Sequence, residues 1–184
     1  LCKDLHLDGL TPDYETAKRT IDSLNIPVFI LIRHREGDFI YSDEEFELMK
    51  QDILKFKEMG CKGIVSGVLN DDNSIDIERT KELVELSRPL EFTFHRAFDV
   101  VSDPLKEIEN LIRLGVDRIL TSGQKDKAIE GLNLLLELKR ISNNGIVIMP
   151  GSGISKNNLK NFTLFKEVHG SFKDEINSNG FKLC

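Results

Sequence analysis

Residues 104–122 read PLKEIENLIRLGVDRILTS, and the reading of this stretch decides the fold. Ile108, Leu111, Ile112 and Leu114 recur at helical spacing, which gives the segment one apolar face. Asp103 followed by Pro104 is a helix N-cap with proline at the first helical position. Gly115 stands at the other end, and the run 117–122 is short, apolar and bounded by polar residues, as a buried strand should be. Helix, glycine, one or two polar residues and strand together make the tight return of a parallel barrel or a doubly wound sheet.

The same unit recurs outward in both directions. Met59-Gly60-Cys61-Lys62 repeats the return, and Ser42 caps an acidic first turn ahead of Phe46, Met49, Ile53 and Phe56. Strands are expected at 27–33, 62–68, 90–96, 117–122, 145–150 and 166–170. Helices are expected at 12–24, 43–59, 77–87, 104–114, 127–141 and 157–165. Strand starts fall about 20 to 35 residues apart, one βα unit per repeat. Leu1-Cys2 reads as the end of a further strand, so part of the fold is expected upstream of residue 1. An eightfold barrel typically takes about 250 residues and compact ones about 200, so one absent βα unit closes the count. A doubly wound sheet usually carries a glycine-rich dinucleotide loop after its first strand, and this sequence has none. The expected fold is therefore α/β, a TIM (β/α)8 barrel lacking its first βα unit, as a single domain over residues 1–184.

Composition narrows the function. The chain has 184 residues, 25 Lys plus Arg against 31 Asp plus Glu, and a net charge of −6. Basic and acidic residues are interspersed, which argues against nucleic acid as a partner because phosphate neutralisation needs a basic face. No stretch approaches the roughly eighteen apolar residues of a membrane span, and the start lacks a signal-peptide core, so no membrane association and a cytoplasmic location are expected. Three scattered cysteines, Cys2, Cys61 and Cys184, form no close pair of the kind used by zinc sites or redox dithiols.

In a (β/α)8 barrel, function sits where strands end and βα loops begin. That edge collects Cys2, Arg33, His95, Asp99, Thr121-Ser122-Gly123, Gly151-Ser152-Gly153 and His169-Gly170-Ser171. The small residues at 121–123, 151–153 and 170–171 form a candidate anion site, because such loops let backbone N–H groups approach an oxyanion. They serve equally as ordinary turns. His95 and His169, beside Arg33 and Asp99, are the candidate catalytic groups. An imidazole there can be a base, a metal ligand or a member of a packed polar layer. Strand alternation sends Thr93 and His95 inward and Arg96 toward the helices, there to pair with Asp99 or a helix acid. Arg33 is the first candidate to neutralise a bound anion. His6, between Asp4 and Asp8, reads as part of a solvated turn, and His34 as a weaker candidate. Cys2 is the candidate metal residue, since a soft ion such as Cu(I) prefers sulfur or imidazole, although free Cys is also a common core residue.

Arg33, Gly37-Asp38-Phe39, 41–45 (YSDEE), 93–99 (TFHRAFD) and 119–123 (ILTSG), with Leu1-Cys2, 9–12 (GLTP) and His169-Gly170-Ser171, make the chain resemble the CutC family of copper homeostasis proteins. The resemblance implies a cytoplasmic TIM barrel, a homo-oligomer, and Cu(I) bound through cysteines near strand ends, with Cys2 at one proposed ligand position. Its partner position, and a Glu that precedes Leu1-Cys2 in the family, fall outside this sequence. His34 stands where the family has Pro, Ser152 replaces the middle one of three glycines, and the tail after Ser171 matches no family pattern.

Three functions follow as expectations. The first is a copper-homeostasis barrel that binds Cu(I). The second is a barrel enzyme acting on a small phosphorylated or carboxylated metabolite, and the third is an interaction scaffold without chemistry. The reaction type is not legible, since no nucleophile is paired in sequence with a base and no acid pair is diagnostic.

Overall fold

A computed structural model describes residues 1–170. Five parallel strands, β1 (Phe29–Leu31), β2 (Gly63–Ser66), β3 (Glu91–Phe94), β4 (Arg118–Thr121) and β5 (Val147–Pro150), lie side by side in chain order. Helices precede and separate them: α1 (Tyr14–Ser23), α2 (Asp43–Glu58), α3 (Ile77–Ser87), α4 (Pro104–Arg113) and α5 (Leu132–Ser142). A doubly wound sheet reverses its strand order at a switch point, whereas a barrel adds each strand beside the last. The monotonic order is that of a partial (β/α)8 barrel. Leu1 continues the series: Leu31 N–H donates to its carbonyl at 3.0 Å, and its own nitrogen donates to the Phe29 carbonyl.

Local chemistry explains the unit. Ser42 and Glu45 make a reciprocal capping box at the start of α2, which carries acids in its first turn and Lys55 and Lys57 in its last. Asp103 accepts from Lys106 N–H ahead of Pro104. Both glycine returns are Schellman motifs: Cys61 N–H reaches Phe56 O and Val116 N–H reaches Leu111 O, with Gly60 and Gly115 at φ of 90° and 75°. A side chain at either glycine would be strained, so the tight descent into β2 and β4 depends on them.

One face of each strand meets the helices. Ile30, Ile64, Phe92, Phe94 and Ile119 are fully buried and belong to one core with Met49, Ile53, Phe56, Ile108 and Leu111. On the opposite, barrel-facing side, Arg118 bonds Glu91 at 2.7 Å, Glu167 at 2.9 Å and Thr93 at 3.3 Å while lying over the Phe29 ring.

Three expectations shift. The helix expected at 127–141 begins at Leu132, because the preceding residues fold back on the strand ends: Ala128 N–H donates to Ser152 O, and Gly131 packs against Ser122. The helix expected at 157–165 is reduced to a 3₁₀ turn, Leu159–Phe162. Asn158 uses its side chain to bond Ser155 N–H and Gly153 O, favouring a turn over a helix. The run 166–170 is not a strand, although His169 N–H donates to Pro150 O at 2.8 Å and holds the segment beside the end of β5.

Candidate functional site

β3 delivers His95 to the strand-end edge, and its backbone N–H continues the ladder to Ser66 O. His95 is 4% exposed, its ring 4.9 Å from Phe39 and close to Gly67, where an added Cβ would fall 2.8 Å from Nδ1. Nδ1 accepts from Ala97 N–H at 3.2 Å, while the buried Nε2 has no hydrogen-bond partner. Burial, and after it the Arg33 charge, push the imidazole pKa down to about 3. The ring is therefore neutral at ordinary pH with its proton on Nε2.

Immediately after His95 the chain turns into a 3₁₀ segment, Arg96–Val100, which sets Asp99 against the end of β4. Asp99 Oδ1 accepts from Thr121 Oγ1 at 2.5 Å, Ser122 N–H at 2.9 Å and Gln124 N–H at 3.3 Å. Its Oδ2 accepts from Arg96 Nε at 2.7 Å, and Arg96 Nη2 reaches Ser122 Oγ at 3.3 Å. Gly123 N–H is spent on Thr121 Oγ1. The loop expected to cradle an external anion at 121–123 thus holds the protein's own carboxylate. The exposed cation beside it is Arg96, whose side chain is 39% accessible. Alternation had assigned Arg96 to the helix layer, but the count fails where the strand gives way to the 3₁₀ turn.

Arg33 is 5% exposed and serves the neighbouring loops. Nη1 donates to Leu7 O and Gly9 O, Nη2 donates to Gly37 O, and Nε is buried without a partner. Its guanidinium lies 5.3 Å from the Phe39 ring, so Phe39 touches both Arg33 and His95. Nothing in the alternation pattern pointed to Phe39, which comes from a loop.

Cys2 is half-buried, and an added Cβ on Gly9 would lie 3.2 Å from its sulfur. Cys61 is buried at the opposite edge, where burial pushes its thiol pKa up. Among the described residues no group of three or more His, Cys, Asp or Glu side chains could hold a metal. His34 Nε2 lies 3.0 Å from Asp52 Oδ2 without hydrogen-bonding it, Asp52 Oδ1 accepts from the Tyr14 hydroxyl, and His6 is exposed.

The glycine loop is tied down as well. Gly151 N–H donates to Thr121 O, Ser152 Oγ donates to Asp126 O, and Gly153 sits against Lys127. An added Cβ on Gly151 would meet Leu120 at 2.5 Å and His169 at 3.4 Å. His169 is exposed as a residue, yet desolvation of the ring, followed by positive charge that includes Arg96, lowers its pKa. Gly170 is buried, and Ser171 lies outside the described residues. The structure therefore gathers Arg96, Asp99, Thr121 and Ser122 into one network. His95 and Arg33 flank Phe39, and His169 adjoins the glycine loop. A cavity of about 340 Å³ lies at the other edge, lined by Ile21, Leu24, Ile26, Val28 and Gly60, and contains none of these groups.

Residues 1–174 match the model of the CutC family. A mouse protein named copper homeostasis protein cutC homolog is 48% identical over 160 residues, covering 87% of this chain and 59% of that protein. A family protein CutC from Photorhabdus laumondii is 44% identical over 173 residues, covering 93% of this chain and 69% of its own length. A crystal structure of a CutC protein from Streptococcus agalactiae superposes with a TM-score of 0.88 at 36% identity, over 92% of this chain and 86% of that one.

Proposed function

The chain belongs to the CutC family, and on that premise we propose that it is a cytoplasmic, copper-homeostasis-associated barrel whose strand-end edge receives a small carboxylate or phosphate ligand. The copper association comes from the names of the mouse and human relatives. The observation that carries the ligand class is Arg96, oriented by Asp99 and Ser122 yet still open to solvent. A guanidinium fixed in this way presents its remaining N–H groups to an oxyanion at little cost in side-chain entropy. His169, the 151–153 loop and Gly170 complete the rim, while Thr121, Ser122 and Gly123 contribute by holding Asp99. Arg33 adds positive charge beside His95. A single domain and homo-oligomeric assembly belong to the same reading. No described helix is long and apolar enough to cross a membrane, and the acidic balance fits a partner other than nucleic acid.

Titration with inorganic phosphate and with acetate tests this reading. Micromolar to millimolar binding that weakens at least tenfold in Arg96→Ala is the expected result. Undiminished binding in that variant, or none to the wild type, contradicts it.

Cu(I) is the second reading, favoured by Cys2 at the same edge. The described donors do not fit a closed Cu(I) centre: this edge offers one thiol (Cys2), His95 Nε2 carries a proton, and no three described His, Cys, Asp or Glu side chains converge. Cu(I) titration against a competing chelator decides whether copper is itself a ligand. Equal affinity in wild type and Cys2→Ser removes Cys2 from that account.

A further inference from the structure

His95 has an unusual set of partners for a histidine at a strand end. Ala97 N–H donates to Nδ1, so in the neutral ring the proton must sit on Nε2. That N–H is buried and has no acceptor, within a residue only 4% exposed. A buried donor left unpaired is destabilising, and nothing in the described residues pairs with this one. The Phe39 and Phe94 rings, Gly67 and the Arg33 guanidinium are among its neighbours, and none of them is placed to accept from Nε2. Burial and the nearby Arg33 charge both resist protonation, so the ring stays neutral well below its ordinary range.

We propose that His95 is a fixed, neutral hydrogen-bond donor that gives its Nε2–H to an oxygen of the bound ligand, and acts neither as a base nor as a metal ligand. This rests on the oxyanion-receiving edge proposed above and adds the chemistry of its deep end. A general base needs a free lone pair at the site, and a metal ligand needs the same. Here the Nδ1 lone pair is occupied by Ala97 N–H, and Nε2, which carries the proton, is buried without a partner. Buried Arg33 Nε–H is a second donor without a partner, next to the same Phe39 ring. Two unpartnered donors favour a carboxylate, phosphoryl or carbonyl oxygen over an amine or a metal cation.

The test is side-chain ¹⁵N NMR on the whole chain, with inorganic phosphate and acetate as separate probes. His95 is expected to show the Nε2–H tautomer throughout pH 5–8, with its Nε2–H resonance shifting on addition of at least one probe. His95→Leu should lose about tenfold or more in affinity for that probe, while His95→Gln, which keeps a donor at the same reach, should stay near wild type. If His95 titrates near 6.5, or carries its proton on Nδ1, the proposal is overturned. It is also overturned, with the oxyanion edge left standing, if a probe binds in an Arg96-dependent way while the His95 resonance stays fixed and His95→Leu binds normally. Failure of both probes to bind the wild type overturns the oxyanion edge itself and this proposal with it.

Discussion

Asp99 Oδ1 accepts the Ser122 backbone N–H at 2.9 Å, so the amide cradle at the end of β4 is filled from within by a carboxylate of the preceding βα loop. The same carboxylate aligns Arg96 and so couples two adjacent strand ends. That makes Asp99 an organiser of the edge, with four donors converging on it.

Asp99→Ala leaves the Ser122 and Gln124 amides and the Thr121 hydroxyl without their acceptor. A loss of roughly 3 kcal/mol or more is expected by urea unfolding, with weaker anion binding because Arg96 is no longer held. Added acetate should recover part of the lost stability by occupying the emptied cradle. Wild-type stability in this variant would show that the network is incidental.

The His95 environment gives stability a definite pH dependence. In the unfolded chain the imidazole protonates near its ordinary 6.5, and in the folded protein only at about 3. Below pH 6.5 the unfolded state therefore binds more protons, and folding stability falls as pH drops from 6.5 toward 3. It is fully present above that window. Between pH 7 and pH 5 the wild type should lose roughly 2 kcal/mol more than His95→Gln. Equal losses in the two proteins would place His95 in contact with solvent.

Gly131 abuts the strand-end network closely enough that an added Cβ would lie 2.0 Å from Ser122 O and 2.8 Å from Gly123 Cα. Both are backbone atoms, so no rotamer change relieves the contact. Gly131→Ala should cost roughly 2 kcal/mol or more and reduce anion affinity by displacing residues 122–124. Thermal melts and the phosphate titration check the two effects separately.

The chain has two tyrosines, and different causes raise both phenols to about 12. Tyr14 donates to the Asp52 carboxylate, whereas Tyr41 is desolvated by burial. In an ultraviolet titration neither should ionise near the ordinary 10. Asp52→Asn should bring one of the two down toward that value and leave the other in place. A wild-type transition at pH 10 would mean that Tyr14 does not reach Asp52 or that Tyr41 is not desolvated.

The βα repeat was legible because periodicity, caps and glycine returns agreed: Asp103, Pro104 and Gly115 mark α4 and β4 in the sequence as in the structure. The edge was legible only as a set of strand-end residues. Which of them touch was not, because loops settle it. Asp99 reaches back to β4 through a 3₁₀ turn that ends the strand alternation. Arg33 is absorbed by carbonyls of the 7–9 loop, and Phe39 arrives from a segment with no period of its own. The weak elements near the C-terminal end of the described chain had the same origin, since Asn-rich sequence prefers local side-chain bonds to a helix.

If the strand ends form one mouth receptive to an oxyanion, with Arg96 as an exposed cation, selenate should seat there in a crystal measured at the selenium edge. An anomalous peak within hydrogen-bond distance of the Arg96 guanidinium, lost in Arg96→Ala, is the expected result. Selenate bound only elsewhere on the surface, with the guanidinium making no contact to it, would show that the strand ends do not form such a mouth.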